Sequence, residues 1–88
     1  MPDDPIALRR KRLLHRSRYR GCLECDILLG RFAERYVPRF GEAQLDRLER
    51  LLDEPDADIL AWVTGRRHVP ARHDNDVFRL LASFEPAA

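Results

Sequence analysis

With 88 residues and a formal net charge of +1, the chain is long enough for one small domain and too short for two. A domain this size buries a modest share of its surface, so its core must be helix-dense or stapled; Cys22 and Cys25, three positions apart, close too small a loop to staple it. No stretch approaches the roughly 18 apolar residues of a membrane span, and the N-terminus has neither a signal-peptide apolar block nor the acid-poor character of a transit peptide. These features predict a soluble, cytoplasmic protein in a reducing compartment, a single domain over 1–88 with residues 1–4 and 85–88 as flexible ends.

Every periodic segment reads as helix, with no strand alternation and no hairpin signal. The first helix is predicted to start at Asp4-Pro5, an acid as N-cap and proline at the first helical position. Ile6, Leu13 and Leu14 form its thin apolar side, and it is expected to end at Gly21, the residue type that best accepts a left-handed C-terminal position. Seven Lys/Arg and no acid fall within residues 9–20, while residues 42–58 hold seven acids and two arginines, so an electrically dipolar molecule is expected.

The second helix follows at once. Cys25, Leu28, Leu29, Phe32 and Tyr36 make one strong stripe, with Leu23 and Ile27 nearly opposite and Glu24 and Asp26 on the flanks. It is expected to stop before Pro38. The third helix is EAQLDRLERLLD, with Leu45, Leu48, Leu51 and Leu52 inward. The fourth is DADILAWVTG, with Asp56 as N-cap, Ile59, Leu60, Trp62 and Val63 apolar, and Gly65 as its stop. RRHVPARHD reads as a loop, and NDVFRLLASF as a fifth helix with Val77, Phe78, Leu81 and Phe84 inward. The fold class is therefore all-α, a compact five-helix bundle with Phe32 and Trp62 in one shared core.

Chemistry-bearing residues are few. Cys22, Cys25, His68 and His73 are a donor set zinc accepts, but 42 residues separate Cys25 from His68, and both cysteines sit at helical spacing in an apolar run where thiols pack as small hydrophobes. Glu24 and Asp26, two apart on a helix, point about 200° from each other and cannot share a proton. No nucleophile triad, phosphate loop or dinucleotide fingerprint is present. The basic run 9–20 suits phosphate neutralisation, though a solvated helix face explains it too.

The stretch RYRGCLECDILLGRFAERY concentrates the rest. Gly21 and Glu24 have a local reading as helix stop and capping-box residue at N3. That reading leaves unexplained why Arg20 abuts the junction and why Leu23 and Ile27 face away from the main stripe, a second apolar side that is either buried between neighbours or an exposed patch; a docking surface, a small apolar patch rimmed by charge, accounts for them. Both readings stand on the residues alone.

RGCLECDILLGRFAERY resembles the Arg-Gly-x-x-Glu-x-Asp signature of the succinate dehydrogenase flavinylation factors, and LERLLDEPDADILAWVTGRRHVP is similar to their downstream block; the resemblance covers about residues 8–84. It implies a small bundle protein, not an enzyme, that binds the flavoprotein subunit of succinate dehydrogenase, or in some bacteria fumarate reductase, and promotes covalent attachment of FAD to a histidine of that subunit. FAD then belongs to the client and is not held stably by this chain. Arg20, Gly21, Glu24 and Asp26 match the motif, and with Leu23 and Ile27 they are the expected client-binding residues. A monomer is expected, with no metal site on the spacing above, in the cytoplasm of a bacterium or the mitochondrial matrix of a eukaryote. The alternative is a basic-helix nucleic-acid binder or an antitoxin-like regulator.

Overall fold

Asp4 and Pro5 open the first helix, α1 (Pro5–Arg18), as expected: the Asp4 carboxylate accepts from the Ile6 N–H at 3.0 Å and proline takes the first turn. The computed structural model describes residues 4–86; residues 1–3 and 87–88, within the ends expected to be flexible, lie outside the described residues. Four helices follow, α2 (Leu23–Tyr36), α3 (Glu42–Leu52), α4 (Asp56–Val63) and α5 (Asp76–Ala82). Short 3₁₀ turns at Val37–Arg39 and Ala71–His73 lie in the links, and no strand occurs among the described residues. The chain is the five-helix, all-α bundle that its periodicity predicts.

Several helix ends differ from expectation, three of them in their caps. α1 stops at Arg18 with Tyr19 as its C-cap, so Gly21 is a link residue and not the helix stop. Cys22, not Gly21, is the N-cap of α2, which moves Glu24 from N3 to N2, and no side chain caps that end. Pro55, not Asp56, precedes α4, and Asp56 is its first residue. At the α1–α2 junction Arg20 is held by Asp26 through its backbone and by Asp56 through its side chain, contacts that local cap preferences do not contain, while at α4 the Pro55 carbonyl accepts the first helical bond, from the Ile59 N–H at 3.1 Å. α5 forms within the predicted stretch but is shorter at both ends: Asn75 is its N-cap, with the side chain accepting from the Phe78 N–H at 3.0 Å, and the helix stops at Ala82, before Phe84.

The apolar stripes meet in one core. Cys25, Leu29 and Phe32 of α2 are fully buried, as are Leu45 and Leu48 of α3 and Ile59 of α4. Phe32 and Trp62 belong to this same cluster. Phe32 lies 4.9 Å from the Tyr36 ring and meets Phe84 edge-on at 5.7 Å, so α2 and the chain end past α5 share an aromatic contact. α1 crosses α2 closely: a Cβ added at buried Gly30 would stand 3.4 Å from the Arg18 side chain and 3.8 Å from the Ser17 carbonyl.

The charge asymmetry folds back on itself. Arg9 of α1 pairs with Asp46 and Glu49 of α3, and Arg16 with Asp53 at 2.8 Å. The basic and acidic segments thus lie side by side, and the dipole expected from sequence is largely neutralised within the chain. These pairs lie at the surface, where water and salt screen them, so they orient α1 on α3 more than they hold it there.

Because Phe32 is fully buried among Tyr36, Phe40 and Phe84, truncating it leaves a cavity that short neighbouring helices cannot close. Phe32→Ala is expected to cost about 3–5 kcal/mol in urea or thermal unfolding. A loss under about 1 kcal/mol would show that the aromatic cluster is not the core.

Candidate functional site

Arg20 follows the C-cap of α1, and its side chain is only 10% exposed. Its Nε donates to the Asp56 carboxylate at 2.8 Å, Nη1 to the Leu52 carbonyl at 2.7 Å, and Nη2 to the Glu54 carbonyl at 3.1 Å. The two carbonyls belong to the end of α3 and the turn after it, where helix geometry leaves acceptors free. The guanidinium therefore ties the α1–α2 junction to the α3–α4 turn. The Arg20 backbone N–H is also engaged, donating to the Asp26 carboxylate at 2.6 Å. Asp26 reaches back from the first turn of α2 and fixes the approach angle of the link.

Gly21 makes that link possible. Its φ is +88°, a conformation that costs an ordinary side chain roughly 1–2 kcal/mol, and a Cβ there would meet nothing within 4 Å. The turn drops the chain directly into α2. Leu23, Glu24 and Ile27 then face away from the core: Leu23 is 75% and Ile27 41% exposed. Four residues apart, they share one side of the helix. Glu24 is exposed and makes no hydrogen bond or ion pair among the described residues, so the capping-box reading does not hold for it.

The six residues expected at the site are thus brought together, in two sets. Arg20, Gly21 and Asp26 build the junction, with Arg20 and Asp26 engaged inside the protein. Leu23, Glu24 and Ile27 are presented outward. Sequence reading missed Asp56, taken as a cap and here the ionic partner of Arg20, since nothing local connects positions 36 residues apart. It also missed Tyr19, 70% exposed, its ring tilted against that of His15 with centroids 4.8 Å apart; its signal was an aromatic residue outside every apolar stripe.

The α3–α4 turn is braced from its other side. Buried His73 places Nε2 2.6 Å from a Glu54 carboxylate oxygen and packs against the Trp62 ring at 5.4 Å, and Arg72 reaches the same oxygen at 2.7 Å. The hydrogen bond from His73, then that from Arg72, hold the Glu54 carboxyl below its ordinary pKa against the opposing effect of burial. A depressed carboxylate adds stability that is present above its unfolded-state pKa and lost as pH falls through the folded one.

Both cysteines are free thiols. Burial, then a hydrogen bond with Cys22, pushes the Cys25 thiol up to about 12, which makes it an inert packing group. Among the described residues no group of three His, Cys, Asp or Glu side chains lies close enough to hold a metal ion. The basic run is mostly engaged inside the chain: Arg9, Arg16 and Arg20 with acids of α3 and α4, Arg18 with Glu34 at 3.3 Å, and Arg10 with the Phe40 carbonyl at 2.8 Å. Of its seven cations, Lys11 and Arg12 are left without such a partner, a weak footprint for a polyanion.

Comparison with known proteins accords with this geometry. Residues 11–85 match the family model described as the flavinator of succinate dehydrogenase. A succinate dehydrogenase assembly factor 2, mitochondrial, of Scheffersomyces stipitis is 52% identical over 61 residues, covering 69% of this chain and 41% of that protein. The one from Drosophila virilis is 39% identical over 82 residues, covering 91% of this chain and 52% of that protein. This chain spans about half the length of the curated relatives it matches. No helix among the described residues is long and apolar enough to cross a membrane. The match extends over nearly the whole bundle, the Arg20–Asp26 junction included, and the chain belongs to the family of succinate dehydrogenase flavinators, which are assembly factors.

Proposed function

We propose that this chain binds the flavoprotein subunit of succinate dehydrogenase and promotes covalent attachment of FAD to it, without itself catalysing a reaction. Family membership supports the client, and one structural observation carries the docking site: Leu23, Glu24 and Ile27 stand outward beside a junction held rigid by Arg20. Full burial of a leucine or isoleucine contributes about 1.5–3 kcal/mol; Leu23, 75% exposed, has most of that to gain on docking and Ile27, 41% exposed, a smaller part, which together give the surface an apolar centre. Glu24 has no internal partner to give up, and a client cation recovers its charge at no cost to the bundle. Arg20 and Asp26 act by positioning, since both are satisfied within the chain.

Docking of this kind promotes a reaction by raising the population of the client geometry in which flavin and acceptor side chain meet. The shift equals the difference in affinity for the two client states; about 2 kcal/mol is roughly thirtyfold in population. FAD in this reading is the client's ligand.

Two substitutions test the reading. Glu24→Ala removes an exposed carboxylate from the start of α2, where its favourable contact with the helix dipole is worth about 0.3–1 kcal/mol. Titration against the apo-flavoprotein is expected to show a loss of about 2 kcal/mol, roughly thirtyfold in Kd, beside a small fall in Tm. Unchanged affinity with a lowered Tm would make Glu24 a structural residue.

The second test separates backbone strain from obstruction at Gly21. Gly21→Ala introduces only the strain, about 1–2 kcal/mol, and is expected to keep client flavinylation. Gly21→Arg adds a bulky cation beside Leu23 and Glu24 and is expected to abolish flavinylation in a protein that still melts cooperatively. Equal activity of the two variants would place Gly21 outside the docking surface.

A further inference from the structure

The surface at the start of α2 continues into a groove against α4 that the reading above leaves unused. Glu24, Ala57, Leu60, Ala61, Thr64 and Arg66 line it. The α4 residues recur at i, i+3, i+4 and i+7, one face of the helix, while Ile59 and Trp62 point into the core. Ala57 and Thr64 of that outer face are exposed. Leu60 and Ala61 are half-buried in the groove floor, and two alanines one turn apart let another chain approach the α4 backbone. Its lining includes one charge of each sign, Glu24 on α2 and Arg66 just past α4, each exposed and neither side chain in an ion pair or hydrogen bond among the described residues. Their neighbours differ in this respect, since Arg67 is paired with Asp58 and Arg72 with Glu54.

Resting on the proposed docking role, we infer that this groove seats a short segment of the client's own chain, one that sets a cationic side chain against Glu24 and a carboxylate against Arg66. An apolar floor with one unpaired charge of each sign favours an occupant of matching polarity over a polyanion, which Glu24 repels, or an acyl chain, which leaves both charges unmet. Continuity with Leu23 and Ile27 makes the groove an extension of one interface, and Arg66 becomes a specificity-determining residue that the motif does not include. The two charges select an occupant that carries both signs; the small residues set how closely it can approach.

Binding of the full chain to the apo-flavoprotein subunit of succinate dehydrogenase, followed by thermal melts of each variant, tests this. Arg66→Glu reverses one end of the groove, and Ala57→Lys supplies an internal cation for Glu24 while narrowing the opening. Lys11→Glu is the control: it makes the same charge change as Arg66→Glu, at an exposed, unpaired lysine of α1. The expected result is a Kd raised at least about tenfold by Arg66→Glu and Ala57→Lys, with Lys11→Glu near wild type and all Tm values close together. If wild type binds and Leu23→Asp weakens it, but Arg66→Glu and Ala57→Lys match wild type, the groove is empty in the complex and this inference is overturned while the docking role stands. Equal losses from Arg66→Glu and Lys11→Glu would also overturn it, as an effect of net charge alone. Failure of the wild-type chain to bind the subunit would overturn the docking role itself.

Discussion

The Arg20 guanidinium is the contact on which the rest of the arrangement depends. One planar group meets the Asp56 carboxylate and two main-chain carbonyls at the α3–α4 turn, while the same residue's backbone is held by Asp26. Arginine suits this task because its donors form a rigid fork with several directions; a lysine ammonium at the same place is a more strongly hydrated point charge and does not reproduce the geometry. Two chain reversals, one between α1 and α2 and one between α3 and α4, are locked to each other by that fork. His73 and Trp62 then brace the second reversal through Glu54.

From this lock follows a division of labour within a seven-residue motif. A signature read in one dimension invites the view that all of its charged residues touch the partner. In three dimensions Arg20 and Asp26 point inward and are satisfied, Gly21 supplies the left-handed turn, and Glu24 with its neighbours Leu23 and Ile27 is turned outward. Rigid presentation matters because ordering a floppy surface on binding costs free energy that a preformed one does not. An 88-residue bundle has few other ways to hold two exposed apolar side chains at a fixed angle.

Much of this was legible in the residue order, and the boundary has a physical cause. Helical period placed Leu45, Leu48, Leu51 and Leu52 in the core and Leu23 and Ile27 opposite the main stripe of α2, because side-chain direction on a helix is fixed by spacing alone; that the opposite side is exposed and not covered by a neighbour depends on the packing of the other helices. Asp4 as N-cap, and Asn75 at the head of α5, were legible for the same reason: their partners lie within three residues. What escaped has partners far along the chain. Asp56 was read as a cap because its true partner is 36 positions away; His73 was read as loop because its contact with Glu54 crosses a whole helix. The basic run of α1 and the acidic run of α3 were both visible, but their neutralisation of each other required knowing that the two helices lie side by side.

The central claim is that Arg20 builds the docking surface and does not itself touch the client. Arg20→Lys tests it most directly, read by equilibrium unfolding and by client affinity measured well below the melting transition. Loss of the fork strands the Leu52 and Glu54 carbonyls and weakens the hold on Asp56, so the account predicts a stability loss of about 1–3 kcal/mol, with affinity falling mainly as the junction loosens and recovering when low temperature or a stabilising osmolyte restores the fold. A variant with unchanged unfolding free energy and abolished binding would contradict it, and would make Arg20 a contact residue.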